Sequence, residues 1–395
     1  MRLLLLLILF TTMTVFPALG QDTAPGTPPA HGPIVEGNSQ GGNIQTLNPL
    51  FCVDAACRRI TSLLFPTLVA RDSDFDEFRP AQPNSLAVDW IRSDDGMTYT
   101  IMLYDDLTWN DGEPINAYDV FFSYLAIAWK GSGSPYHQSV VDITTALIPL
   151  DAKTVVLRLK NPACDDGTLH VAEFPIIPVH RYDPGFADEA AQFLEDKIDG
   201  SDTDIDAAYH AWVENESERP TYSLIGSMPE SYAPVVTFGD FHYEPGRDND
   251  THAFRLYAAE NVIPDAYVLV DTDGPDDTVD RFINGEINFI ADPPVDRRAD
   301  IEAVPGVQVT KWDGDSAAYI SFNLTDPGRK TGEDVPLGDH PLFAEPNVRK
   351  AIQLALAMPQ LIDIAFQGDA QSLILDLHDL RAAQSLLEAA HWKDT

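Results

Sequence analysis

Apolar positions along this chain follow two periods, two and about 3.6, with turn signals between them. Tyr99, Ile101 and Leu103 alternate with polar or small neighbours, which predicts a half-buried strand over Thr98–Leu103. Asp94-Asp95-Gly96 is a turn of the kind that joins hairpins and links it to a strand at Leu86–Trp90. Thr154–Lys160 reads as another strand, with Val155, Leu157 and Leu159 on one face. The clearest helix is Asn116–Lys130. Asn116 is placed to cap it, Asp119 follows three residues later where a carboxylate suits the helix dipole, and Gly131 lies past its end. Its apolar face is broad (Val120, Phe121, Tyr124, Ile127, Ala128), so it should pack on a sheet.

The rest of the chain is less regular. A short strand is expected at Asn43–Leu47 and a helix from Asp54 to Phe65, stopped by Pro66. Asp183–Glu218 is acidic and Ala-rich, which suggests one or two surface helices around the break at Asp199-Gly200-Ser201-Asp202. Strands are expected near Val235–Phe238, Ala253–Tyr257, Ala266–Asp271 and Ile287–Ile290, and a helix over Thr278–Ile283 ended by Gly285. Helices and strands alternate without a steady period, and no repeat of 20–50 residues is visible. The pattern predicts a mixed α/β chain of irregular topology.

Composition narrows the partners. The chain has 395 residues, with 62 acidic against 25 basic side chains and a formal net charge of −37. Such a surface repels phosphate backbones and anionic lipid, which argues against nucleic-acid and membrane-surface binding. With 44% hydrophobic and 10% aromatic residues the chain can build packed cores, so wholesale disorder is excluded. At roughly 100–200 residues per domain, two or three domains are expected.

The first twenty residues read as an export signal: Arg2, an apolar run from Leu3 to Phe10, then Pro17-Ala18-Leu19-Gly20 as a cleavage site before Gln21. The apolar core is shorter than the ~20 residues a membrane span needs, and so is the later run Val120–Trp129. No cysteine follows the cleavage site, so a lipid anchor has no attachment point. Gln21–Gln40, rich in Pro, Gly, Ser and Thr, reads as a flexible tether, with order starting near Gly41. Export permits a disulfide. Cys52, Cys57 and Cys164 allow at most one internal bridge, either a local Cys52–Cys57 clip or a long closure from one of them to Cys164.

Catalytic and metal motifs fail on context. Gly37-Asn38-Ser39-Gln40-Gly41 matches a nucleophile elbow by letter but follows a Pro/Gly-rich tether where the elbow needs a strand. Asp202-x-Asp204-x-Asp206 lacks the glycine and glutamate of a calcium loop, and the cysteine spacings match no zinc pattern. The histidines, among them His137, His170, His180, His210 and His242, form no i, i+4 pair. No phosphate-binding loop or H-E-x-x-H occurs.

A longer series of segments is more specific. Leu86-Ala87-Val88-Asp89-Trp90, Asp95-Gly96-Met97-Thr98-Tyr99-Thr100-Ile101 and Leu107-Thr108-Trp109-Asn110-Asp111-Gly112-Glu113-Pro114 stand in order, the last running on through Ile115-Asn116-Ala117-Tyr118-Asp119-Val120. Leu47-Asn48-Pro49 precedes them, and Ser134-Pro135-Tyr136 follows the long helix. Arg281-Phe282-Ile283-Asn284-Gly285-Glu286-Ile287-Asn288, Tyr319-Ile320-Ser321-Phe322-Asn323, Pro341-Leu342-Phe343 and Val348-Arg349-Lys350-Ala351-Ile352 come later. Together they resemble bacterial extracellular solute-binding proteins of family 5, the dipeptide/oligopeptide-binding class of ABC importers, over about residues 41–395.

The resemblance implies an α/β fold of the two-lobe periplasmic-binding-protein type, with an extra inserted domain and an incomplete second lobe. The implied division is 1–20 signal, 21–40 linker, 41–70 with 169–315 first lobe, 71–168 inserted domain, and 316–395 the start of the second lobe. It implies a non-enzymatic, monomeric receptor without cofactor or metal, periplasmic or extracellular, which binds peptide between its lobes and delivers it to a membrane ABC permease. An oligosaccharide, an opine or a nickel complex is the alternative cargo. By position, Tyr136 resembles a ligand-contacting tyrosine, Val53 and Asp54 fall in a segment lining the cleft, and Tyr319 and Asn323 lie where the chain enters the second lobe. Trp109 reads as a packing residue within a turn that sets Asn116 as a cap.

Family members usually run well past this length. Asp379-Leu380-Arg381-Ala382-Ala383-Gln384-Ser385-Leu386-Leu387-Glu388-Ala389-Ala390-His391-Trp392 resembles a family helix, with His391 in place of its glycine and a shortened Gln371–His378 spacer. A C-terminally truncated, transport-incompetent member, acting at most as an interaction surface, is therefore a rival expectation, and a secreted hydrolase ranks last. Incompleteness would leave exposed some apolar surface that the second lobe would bury.

Overall fold

The structure is a computed structural model that describes residues 32–38, 44, 46–72, 77–195, 202–216, 220–244, 253–259, 264–291, 293–310, 319–325, 339–368, 370–372 and 377–392. The expected signal at Met1–Gly20 and most of the tether lie outside the described residues.

The end of the tether is corrected. Ile34–Asn38 forms a strand, β1, paired in parallel with Ala266–Asp271 in a register running from Ile34↔Tyr267 to Asn38↔Asp271. Gly37 explains why so Gly-rich a stretch orders here. A Cβ at that position would lie 2.6 Å from the Thr278 methyl and 2.8 Å from Ile287 Cδ1, so only glycine lets the strand approach them. The expected strand at Asn43–Leu47 is also corrected: Ile44, Thr46 and Leu47 are irregular, and Leu47 donates its N–H to the Ser231 carbonyl.

Helix α1 (Ala55–Ser62) is followed by the short strands β2 (Arg71–Asp72) and β3 (Glu77–Phe78). Strands β4 (Ala87–Arg92) and β5 (Thr98–Leu103) form the expected hairpin, and α2 (Ala117–Ala128) carries the expected Asn116/Asp119 capping box. Helix α3 (His137–Ile143) leads into β6 (Thr144–Asp151) and β7 (Thr154–Leu159). The resulting antiparallel sheet has the order β4-β5-β7-β6. Strand β6, which contains Pro149, occupies an edge, where a missing N–H costs no ladder bond.

Helices α4 (Val179–Tyr182), α5 (Phe186–Glu195), α6 (Asp202–Glu216) and α7 (Pro220–Leu224) come next. The reading of α5 and α6 as surface helices is corrected, because Phe186, Ala190, Leu194, Ala208, Tyr209 and Trp212 are buried. Ring contacts of 5.0–5.9 Å join Phe121 and Phe122 of α2 to Phe186 and Trp212. Helix α2 therefore lies between the antiparallel sheet and a helical layer, and is buried on nearly every side.

Strands β8 (Phe241–His242), β9 (Ala253–Ala258) and β10 (Ala266–Asp271) complete the first sheet in the order β1-β10-β9-β8. The strand expected at Val235–Phe238 is a loop whose backbone bonds go to Leu64 and the Asn110 side chain. That expected at Ile287–Ile290 reduces to one parallel bridge, Glu36↔Phe289, on the other side of β1. One apolar cluster runs from Leu47 through both sheets to Leu269. Helices α8 (Pro275–Ile283), α9 (Arg298–Glu302), α10 (Pro346–Ala355), α11 (Met358–Phe366) and α12 (Leu380–Ala389) follow. Asp379 N–H reaches the Leu354 carbonyl between α10 and α12, while Leu361 and Ile364 of α11 are exposed.

Candidate binding groove

Ligands of open α/β sheets bind outside the carboxyl ends of parallel strands. Three segments run parallel here: β1, β10 and the chain at Phe289. Their carboxyl ends meet the outer face of α1 at a groove of about 380 Å³, inside the ~300–1,000 Å³ range of small-molecule sites. Glu36, Gly37 and Asn38 form its floor with Leu269. Ala55, Arg58, Arg59 and Ser62 form one wall, and Ile290 and Ala291 the other.

The floor is electrostatically fixed. Glu36 is buried, accepts a hydrogen bond from the Tyr267 hydroxyl, and pairs with Arg59 Nε at 3.5 Å. Burial first, and then the neighbouring carboxylate, push the Tyr267 hydroxyl far up, so it stays a donor at any physiological pH. Asn38 Nδ2 donates to Asp271 Oδ1 at 3.0 Å, tying the ends of the two parallel strands together.

The wall is positioned by the segment before it. Asp54 caps α1 by accepting the Cys57 N–H at 2.7 Å. Cys52 and Cys57 are disulfide-bonded, and Cys164 is free and exposed, so the local clip is the bridge that forms. Both bridged cysteines are buried, and Val53 between them is 70% exposed. Closing so short a loop is worth about 2 kcal/mol on the chain-entropy estimate. The C52S/C57S double variant is therefore expected to lose about that much in urea unfolding. Thiol titration of the unfolded, unreduced native chain should count one thiol per molecule; three would sink the assignment.

The structure brings together only part of the residues singled out in the sequence. Val53 and Asp54 precede α1, and the Ser134 hydroxyl donates to the Leu50 carbonyl at 2.6 Å, which anchors the loop carrying half-buried Tyr136 beside that segment. Burial raises the Tyr136 hydroxyl, while the nearby Arg58 guanidinium pulls it down. Tyr319 is 83% exposed. Asn323 Oδ1 accepts from the Thr325 N–H and hydroxyl, and the described contacts of this segment run to 339–343: Phe322 on Phe343, and His340 N–H to the Leu324 carbonyl. Trp109 is 1% exposed, as a packing residue should be.

Glu36, Asn38, Arg58 and Arg59, which build the groove, were not singled out by sequence reasoning. The available signal was an acid inside the short apolar run Ile34-Val35-Glu36, which the tether composition masked. Among the described residues no group of three or more His, Cys, Asp or Glu is placed to hold a metal ion, and no helix is long and apolar enough to cross a membrane.

The α/β architecture is that of the two-lobe periplasmic binding proteins. Among solved structures, the Helicobacter pylori ABC transporter-associated periplasmic binding protein DppA, in complex with the peptide STSA, superposes with a TM-score of 0.57 at 18% identity, covering 91% of this chain and 66% of that one. NikZ of Campylobacter jejuni, in complex with Ni(L-His), gives 0.59 at 16% identity, covering 91% and 63%. The chain belongs to the bacterial extracellular solute-binding proteins, family 5 (Middle), which it matches over residues 82–395. A probable peptide ABC transporter periplasmic-binding protein of Sinorhizobium fredii (strain NBRC 101917 / NGR234) is 26% identical over 268 residues, which is 68% of this chain and 44% of that protein. The chain thus spans less than half the length of that relative and about two thirds of the solved structures.

Proposed function

We propose that this chain is the extracytoplasmic substrate-binding component of an ABC importer, which takes peptide into the groove beside α1 and hands it to a membrane permease without catalysing a reaction. Membership of the solute-binding family over residues 82–395 carries the reading. The groove at the strand carboxyl ends supports it, since such a site exposes backbone and polar groups suited to an extended ligand. In this reading Val53 and Asp54 contact solute from the first lobe, made of 41–70 and 169–315 together with strand β1, and Tyr136 from the inserted domain 71–168. Tyr319 and Asn323 contact it from the second, which begins near 316. The protein works as a monomer, exported to the periplasm or cell exterior.

The test is thermal unfolding of the purified chain with increasing peptide STSA, a tetrapeptide library, and Ni(L-His). A ligand at a hundred times its Kd stabilises by about 2.7 kcal/mol, which is a rise of several degrees in Tm. A saturable rise with peptide is the expected result. A rise with Ni(L-His) alone would replace peptide by a metal chelate as cargo, and no rise with any of them would remove both peptide and metal chelate as cargo.

A further inference from the structure

The cations in the groove are not equivalent. Arg59 is matched by buried Glu36, which also holds the Tyr267 hydroxyl. Arg58, one residue earlier and also lining the groove, has no acidic partner among the described residues, in a chain whose net charge is −37. Acids outnumber bases by more than two to one here, so a guanidinium left without a carboxylate beside a preformed groove is unusual. Its side chain is exposed on the outer face of α1, opposite the buried Ala56, Cys57 and Ile60, so no packing role accounts for it. The charge of Arg58 reaches the Tyr136 hydroxyl, where that of Glu173 acts with the opposite sign.

We infer that Arg58 is an anion subsite of the groove, and that the solute this protein takes carries a carboxylate there. The inference rests on the proposed receptor function and adds the chemistry of the ligand. With Arg59 neutralised by Glu36, Arg58 leaves the groove one net positive charge. That suits a singly charged carboxylate, which the planar fork of arginine grips through two parallel hydrogen bonds. A phosphate dianion would exceed that charge beside Glu36, and the surrounding acidic surface opposes it further. A carboxylate can come from the C-terminus of a peptide or from a free organic acid, and the experiment separates the two.

The probes are acetate, tetra-alanine and the C-terminal amide of tetra-alanine. Acetate is titrated into protein carrying ¹⁵N-arginine, and the Arg58 Nε–H signal is identified by its loss in Arg58→Gln. Because Arg58 is exposed, R58Q is expected to melt as the parent does. The expected result is a saturable movement of the Arg58 signal, larger than that of any other arginine and unmatched by an equal concentration of chloride. An unmoved signal overturns the subsite, whatever the peptides do. Calorimetry then assigns the source. Tetra-alanine binding at least ten-fold tighter than its amide, with the difference lost in R58Q and partly restored in R58K, places the peptide C-terminus on Arg58. Equal binding of the two peptides, with the acetate response intact, places a carboxylate of another part of the solute there. If neither peptide binds while acetate moves Arg58, peptide import falls and the anion subsite stands. If peptides bind and acetate leaves Arg58 unmoved, the subsite falls and peptide import stands.

Discussion

Replacing Trp212 with alanine should lower the free energy of unfolding by about 3–5 kcal/mol, the largest loss expected from any single truncation in the helical layer. Its indole is 1% exposed and lies 5.9, 5.5 and 5.2 Å from the rings of Phe121, Phe186 and Phe193. It is the side chain through which α6 grips both α2 and α5. A small cavity of about 70 Å³, lined by Trp129, Tyr209 and Tyr222 among others, already adjoins it, so the space left by alanine would merge with existing void. Trp212→Phe should cost far less, about 1 kcal/mol, because the buried indole N–H has no hydrogen-bond partner among the described residues and its loss removes an unsatisfied donor. Urea unfolding followed by far-ultraviolet circular dichroism measures both. A W212A loss below 1 kcal/mol would mean that α6 does not pack on α2 in solution.

That layer shows where sequence patterning stops being informative. Helix α2 was readable because its signals are local: an Asn cap, an acid three residues on, and an apolar run of the right length. Strands β5 and β7 were readable because one face of each meets the core and the alternation records it. Helices α5 and α6 look solvated because their acids hide a narrow buried stripe, which only the aromatic cluster with α2 reveals. Strand β1 was missed because its partner lies more than two hundred residues away and its composition suits a linker. The apolar run at Val235–Phe238 misled in the opposite sense, since apolar burial does not require a ladder. The groove was least legible of all. It is assembled from four separated segments, and neither the Glu36–Arg59 pairing nor the Arg58 left over can be deduced from spacing. Its supporting clip was one of the alternatives the three cysteines left open, and folding chose the pair that the start of α1 brings together.

Lowering the pH from 7 to about 4 should stabilise the fold through one buried carboxyl. Asp119 is 1% exposed, at the head of α2, where Oδ2 accepts the Asn116 N–H at 3.0 Å and Oδ1 the Val179 N–H at 2.9 Å. Burial raises its pKa to about 6, against an ordinary value of 3.8, with the two backbone donors and nearby His180 holding it below what desolvation alone would give. The folded state thus binds this proton more readily than the unfolded state between about pH 6 and 3.8. Stability from this group therefore grows as pH falls through that window and is absent above it, by about 3 kcal/mol for a shift of two units. Two other carboxyls act with the opposite sign but at lower pH. Hydrogen bonds from the Ser93 hydroxyl and Met97 N–H hold Asp95 below its ordinary value; at Asp111, burial acts to raise the pKa, but His180 and the Glu113 N–H outweigh it. Relief of repulsion among 62 acids would also favour the folded state on acidification, so the parent curve alone cannot assign the effect. Asp119→Asn separates them. It changes one charge among many, so a global origin leaves the slope between pH 6 and 4 as it was. If the buried carboxyl is the source, that slope flattens, while the variant loses stability at every pH because its amide sets an N–H donor against a backbone N–H. Urea unfolding at half-unit pH intervals, parent against D119N, distinguishes the two, and an unchanged slope would show that Asp119 does not titrate near 6.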